Sequence, residues 1–176
     1  MPTRLSWTEH MRIQPGYATH FAFSPNGTQL AVSAMLESSK AKISIYDLAS
    51  KYEIQRIAQV SSSELLFSPD GRTLAIQSGA QLFDISNGNK IGTLGNNSIR
   101  GMDFFADGTV MALVECAGAC ILSLWSVPQR ERIRYVELET GINGVFISPQ
   151  GDLIATIEPH PYHTITLWDS RTLEKR

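Results

Sequence analysis

Phe21-Ala22-Phe23-Ser24-Pro25-Asn26-Gly27-Thr28-Gln29-Leu30-Ala31-Val32 is the stretch on which the reading of this 176-residue chain turns. Two short apolar runs flank Ser-Pro-Asn-Gly. Proline presets φ at the second turn position, asparagine suits the third, and glycine tolerates positive φ at the fourth. The stretch therefore reads as a β-hairpin. A third run, Ile43-Ser44-Ile45-Tyr46-Asp47, ends in an aromatic residue followed by aspartate.

The same order returns three times. Leu65-Leu66-Phe67-Ser68-Pro69-Asp70-Gly71 leads to Leu74-Ala75-Ile76 and Gln81-Leu82-Phe83-Asp84. Met102-Asp103-Phe104-Phe105-Ala106-Asp107-Gly108 leads to Met111-Ala112-Leu113 and Leu122-Ser123-Leu124-Trp125-Ser126. Val145-Phe146-Ile147-Ser148-Pro149-Gln150-Gly151 leads to Ile154-Ala155-Thr156 and Ile165-Thr166-Leu167-Trp168-Asp169. The turn glycines Gly27, Gly71, Gly108 and Gly151 are 44, 37 and 43 residues apart. Several short strands at a period near forty predict the blades of a β-propeller. A fourth strand is expected after each aromatic position, near Tyr52–Ile57, Lys90–Leu94 and Arg132–Leu138.

The apolar pattern agrees. Phe21-Ala22-Phe23 and Leu65-Leu66-Phe67 are apolar or small on both faces, as a sheet packed between two neighbours requires. Arg132-Ile133-Arg134-Tyr135 alternates, which suits an outer rim. No segment of 12 or more residues has a helical period. The expected fold is all-β: one propeller unit over residues 1–176, of about four blades of four antiparallel strands, near 17–58, 62–95, 99–139 and 142–176. Residues 5–14, centred on Glu9-His10-Met11-Arg12-Ile13-Gln14, form a candidate closing strand.

These residues resemble the WD-repeat family. Trp168-Asp169 is its name-giving dipeptide, and Tyr46-Asp47, Phe83-Asp84 and Trp125-Ser126 are degenerate forms. The likeness runs over residues 15–176. The family's Gly-His before the first strand is missing from every repeat, and so is its aspartate between the second and third strands. The His-Ser/Thr-Asp-Trp network of the family is therefore not expected, and apolar packing is expected to carry more of the stability. TolB-type and dipeptidyl-peptidase-type propellers are possible relatives. The resemblance implies rings of about seven blades, so four leave an arc with exposed faces, and the outer strand of blade four is missing from its expected place. Three outcomes stay open: a section of a longer propeller, a half-propeller closed by a homodimer, and a four-bladed ring.

Composition limits the function classes. Hydrophobic residues make up 43% and charged residues 18%, with net charge −2, which is a globular balance. Arg130, Arg132 and Arg134 form one face of a strand rather than a basic stripe, so a nucleic-acid partner is not expected. No apolar run is long enough to span a membrane. The N-terminal residues lack the apolar region of a signal peptide. Cytoplasmic localisation is the expectation.

Candidate chemistry is sparse. Cys116 and Cys120 flank Ala117-Gly118-Ala119, a predicted tight hairpin. They are a possible redox pair, with two ordinary semi-buried thiols the favoured reading. Glu158, His160 and His163 share a proline-stiffened loop, but their spacing fits no standard zinc site. Asp103 and Asn143 are the polar residues expected near the propeller axis. No Gly-x-Ser-x-Gly elbow or phosphate-binding glycine loop is present. Neither a cofactor nor a metal is expected. Gly27, Gly71, Gly108, Gly151, Asp47, Asp84, Trp125, Trp168 and Asp169 read as structural repeat positions. The expected function is a non-catalytic protein-interaction scaffold, its partner unknown. The alternative is the propeller domain of an enzyme, lactonase-like or the substrate filter of a peptidase.

Overall fold

The computed structural model describes residues 17–35, 41–60, 64–95, 98–158 and 164–176, and every regular element among them is a strand. β1 (Tyr17–Phe23), β2 (Gln29–Met35), β3 (Ala41–Asp47) and β4 (Glu53–Val60) form the first sheet. β5 (Leu65–Phe67), β6 (Thr73–Ile76), β7 (Gln81–Asp84) and β8 (Lys90–Thr93) form the second. β9 (Ile99–Phe104), β10 (Val110–Ala117), β11 (Ala119–Ser126) and β12 (Glu131–Leu138) form the third. β13 (Gly144–Ile147), β14 (Leu153–Ile157) and β15 (Ile165–Asp169) form the fourth. Each sheet is an antiparallel meander in chain order, and the four stand side by side as propeller blades.

Blade four departs from the sequence expectation. After β15 the chain turns back along it. The Asp169 N–H donates to the Glu174 carbonyl at 2.9 Å, the Arg176 N–H donates to the Leu167 carbonyl at 2.9 Å, and Trp168 bridges Lys175. An outer strand therefore begins where none was expected. The proposed closing strand 5–14, residues 36–40, and His160 and His163 lie outside the described residues.

The first turn of each repeat folds as its residues dictate. Gly27, Gly71, Gly108 and Gly151 have φ between 68° and 71°. Each glycine N–H donates to the carbonyl three residues back, from Ser24, Ser68, Phe105 and Ser148. Ser24 and Ser68 also donate their hydroxyls to Asn26 and Asp70 and accept the N–H of Gln29 and Thr73. Phe105 lacks a hydroxyl, and blade three keeps the bond that all three turns share, in which Asn26, Asp70 and Asp107 accept the N–H of Thr28, Arg72 and Thr109.

A second recurring turn went unread in the sequence. The chain leaves each third strand through five residues, and the fifth N–H donates to the first carbonyl: Lys51 to Asp47, Gly88 to Asp84, Arg130 to Ser126, Leu173 to Asp169. The fifth residue has positive φ in every blade. The aspartate of the aromatic-Asp pair caps this turn. Asp47 accepts the N–H of Ser50 at 2.6 Å, Asp84 accepts the N–H and hydroxyl of Ser86, and Asp169 accepts the N–H of Arg171 and Thr172. These bonds favour the carboxylate form. The Ser50 and Ser86 bonds hold Asp47 and Asp84 low, and Arg176 with the two N–H groups brings Asp169 down to about 2.

The core lies between the blades. Strand side chains point to alternate faces, and β10 uses both: Met111 and Leu113 pack toward blade two while Ala112 and Val114 pack toward blade four, all fully buried. Three apolar clusters fill the three blade-to-blade interfaces. The first strands approach one another, β1 against β5 and β9 against β13, and so line the axis. The fourth strands form the rim, where β12 is largely exposed.

Candidate functional site

The first strands converge on the axis, and Asp103 and Asn143 lie there. A cleft of about 290 Å³ opens there between β5, β9 and β13, lined by Glu64, Leu66, Met102, Asp103, Asn143 and Phe146 among others. Asp103 is half-buried, and burial raises its pKa. Both of its oxygens are engaged: one accepts the N–H of Phe104 at 2.9 Å, and the other reaches across to blade four and accepts the N–H of Ile147 at 2.8 Å. The carboxylate thus stitches two blades together. A Cβ at Gly101 would sit 2.7 Å from the Val145 nitrogen and 2.9 Å from Gly144 Cα, so β9 and β13 meet backbone to backbone beside it.

The two repeat tryptophans are anchored by hydrogen bonds as well as by packing. The Trp168 indole N–H donates to buried Thr156 Oγ1 at 2.8 Å. The Trp125 N–H donates to Ser123 Oγ at 2.9 Å and reaches Glu115 Oε1 at 3.2 Å. Ser123 in turn donates its hydroxyl to Glu115 Oε1 at 2.5 Å. Glu115 is buried, and its carboxylate lies against Gly95 of blade two. A buried polar group needs such partners. Sequence reasoning passed over Glu115 because its neighbours in β10 are apolar. Both rings also carry a cation, Arg132 over Trp125 and Lys175 over Trp168.

Cys116 and Cys120 face each other across the β10–β11 hairpin and are joined as a disulfide, with Gly118 at the apex. The favoured expectation of two free thiols is corrected: directly paired hairpin residues bring their Cβ atoms within bridging range. Glu158 ends the described part of its loop, donating its N–H to the Thr164 carbonyl. Among the described residues, no three His, Cys, Asp or Glu gather as a metal site, and no helix is long and apolar enough to cross a membrane.

The strongest unsatisfied feature is at the two ends of the arc. Every internal interface joins one blade's forward face to the next blade's rear face. The third-strand positions of the forward face are Ile43 and Ile45 in blade one, Ala80 and Leu82 in blade two, and Leu122 and Leu124 in blade three, all buried. Their blade-four counterparts, Ile165 and Leu167, are 63% and 42% exposed, and Phe146 on β13 is 56% exposed. The first-strand positions of the rear face are Leu65 and Phe67, Met102 and Phe104, and Val145 and Ile147. All but half-buried Ile147 are buried. Their blade-one counterparts, Phe21 and Phe23, are 68% and 59% exposed and stack edge to face. Contiguous exposed apolar residues of this kind mark interaction surfaces.

The chain matches no family model and no curated protein. Among solved structures it is similar to Kuenenia stuttgartiensis hydrazine synthase, with 17% identity and a TM-score of 0.76 over 98% of this chain and 52% of that one. The chain therefore spans about half the length of that structure. Because 1036 solved chains match in this way, the likeness marks an architecture rather than one activity.

Proposed function

We propose that the chain is a non-catalytic protein-interaction scaffold of WD-like repeats and forms a section of a larger propeller. The observation that carries this reading is the pair of end faces, apolar at the very positions that are buried in the three internal interfaces. A surface that repeats an internal interface calls for another blade. Support for the WD-like character comes from the third strands, which end in Tyr46-Asp47, Phe83-Asp84, Trp125-Ser126 and Trp168-Asp169, with the aspartates capping the following turn.

The enzyme alternative would use the axial cleft, where Glu64 and Asp103 bring carboxylates. Asp103 is spoken for by two backbone N–H groups, which makes it a strut rather than a poised acid. The cytoplasmic setting goes with a reduced Cys116–Cys120 pair, whereas an oxidising compartment goes with the bridge. The test is the native mass of the protein recovered from its own cells. The scaffold reading expects an assembly larger than one chain that collapses with Ile165→Asp or Phe21→Asp and survives Asp103→Asn. An assembly indifferent to both end-face changes would overturn it.

A further inference from the structure

We infer that the groove between blades three and four is a docking site for an extended peptide of a protein partner, one that sets an apolar side chain beside an aspartate or glutamate. This rests on the scaffold reading and names the chemistry of what the scaffold holds.

Grooves of about 580 Å³ between blades one and two and about 470 Å³ between blades three and four are built from the same repeat positions. Each uses the hairpin turns of both blades, the outer strand of the earlier blade and the turn after the third strand of the later one. Between blades one and two these positions are polar: Ser24, Gln29 and Gln55 join Asp70 and Asp84, with Arg72 as the one cation. Between blades three and four Phe105 replaces Ser24, Val110 replaces Gln29, Arg134 replaces Gln55, and Arg171 stands where Ser86 does. Between blades two and three the Gln55 position is Gly92, and the Arg130 side chain lies over it and donates to the Ile91 carbonyl at 3.2 Å. The turn glycines that shape the blades recur in every repeat. The groove positions do not, and their changes converge on one apolar, basic groove.

The floor of that groove is apolar. Leu124 is buried, and Phe105 and Val110 are half-buried. Ile133 carries the apolar strip out to the rim, where it is 56% exposed, so the strip suits a chain segment rather than an enclosed small molecule. The Arg134 guanidinium donates to the Arg171 carbonyl, which keeps the two arginines together beside the floor. Neither guanidinium pairs with a carboxylate among the described residues. Asp169, the acid nearest Arg171 in the chain, pairs with Arg176. Asp107, which also lines the groove, gives one oxygen to the N–H of Thr109 and the other to its hydroxyl. Two unpaired guanidinium groups beside an apolar floor are complementary to a carboxylate next to an apolar side chain, and arginine can grip a carboxylate by two parallel bonds. Nucleic acid would need a longer basic track than two arginines supply. The volume falls within the range of about 300–1,000 Å³ usual for binding clefts.

Selection from a displayed library of random decapeptides on the purified full chain tests the inference. The expected result is enrichment of sequences with Asp or Glu next to Leu, Ile or Phe. A synthetic copy of the enriched peptide should bind about tenfold more weakly, by fluorescence anisotropy, to Arg134→Gln and to Arg171→Gln. Changing its acid to the amide should cost as much, and added salt should weaken binding. Both arginines are exposed, so the variants should keep the fold, which circular dichroism checks. Val110→Gln, which installs the blade-one residue, should weaken binding without touching a charge. No enrichment, enriched peptides without an acid, or binding that Ile165→Asp abolishes while Arg171→Gln leaves it unchanged would overturn the inference. The larger-propeller reading is judged separately, by native mass, and stands whichever peptide result is found.

Discussion

Leu122 and Ile165 hold the same repeat position, the first facing blade four and the second facing outward, and truncating each to alanine separates packing from position. Leu122 is fully buried among Ala112, Val114, Val145 and Ile154. Leu122→Ala removes the transfer free energy of the lost carbons and leaves a cavity that the sheets can close only in part, a cost of about 2–5 kcal/mol. With a urea dependence of about 2 kcal/mol per molar, the unfolding midpoint should fall by about 1–2.5 M. Ile165→Ala removes a side chain already 63% exposed, and a surface change of this kind stays within about 0.5 kcal/mol. The assay is urea unfolding followed by tryptophan fluorescence and circular dichroism, at a chain concentration low enough that the midpoint no longer depends on it. Coincident transitions would justify the two-state treatment. Equal midpoint shifts for the two variants would refute the argument that repeat position means burial only inside the arc.

Acid should loosen the turn caps. Asp47, Asp84 and Asp169 are lowered from 3.8, Asp169 to about 2, so their contribution is present above the unfolded value and is lost as pH falls from about 4 toward 2. Asp103 is raised and runs the other way, its burden growing as pH rises through its folded value. Urea midpoints between pH 6 and 2 should fall on acidification, and Asp169→Asn should flatten the lowest part of the curve. Gly101→Ala should destabilise by about 1–3 kcal/mol, because its Cβ meets the backbone of Val145 and Gly144 rather than a movable side chain; a neutral effect by the same assay would mean that the inner strands separate easily. Reduction of Cys116–Cys120 should cost about 2 kcal/mol or less, since the bridge closes a loop of only a few residues; thiol titration before and after reductant counts the groups released.

Much of this was legible in the sequence because the decisive interactions are local. Ser-Pro-Asn-Gly commits the chain to a hairpin whatever surrounds it, and four such turns at a period near forty imply four sheets. Side-chain alternation adds which strands are sandwiched and which form the rim. Other features depend on residues far apart in the chain. Glu115 reads as a charge in an apolar strand until Ser123 and Trp125 are brought alongside it. Asp103 reads as an axial polar group until the Ile147 N–H, 44 residues on, takes up its second oxygen. The end faces are the clearest case. Ile165 and Leu167 are ordinary core residues by pattern, identical in kind to Leu122 and Leu124. Pattern specifies which face of a strand is apolar, a property of the single strand. Only the tertiary arrangement decides whether a neighbour covers that face, and among the described residues it leaves Phe21 and Phe23 exposed at one end and Ile165 and Leu167 at the other.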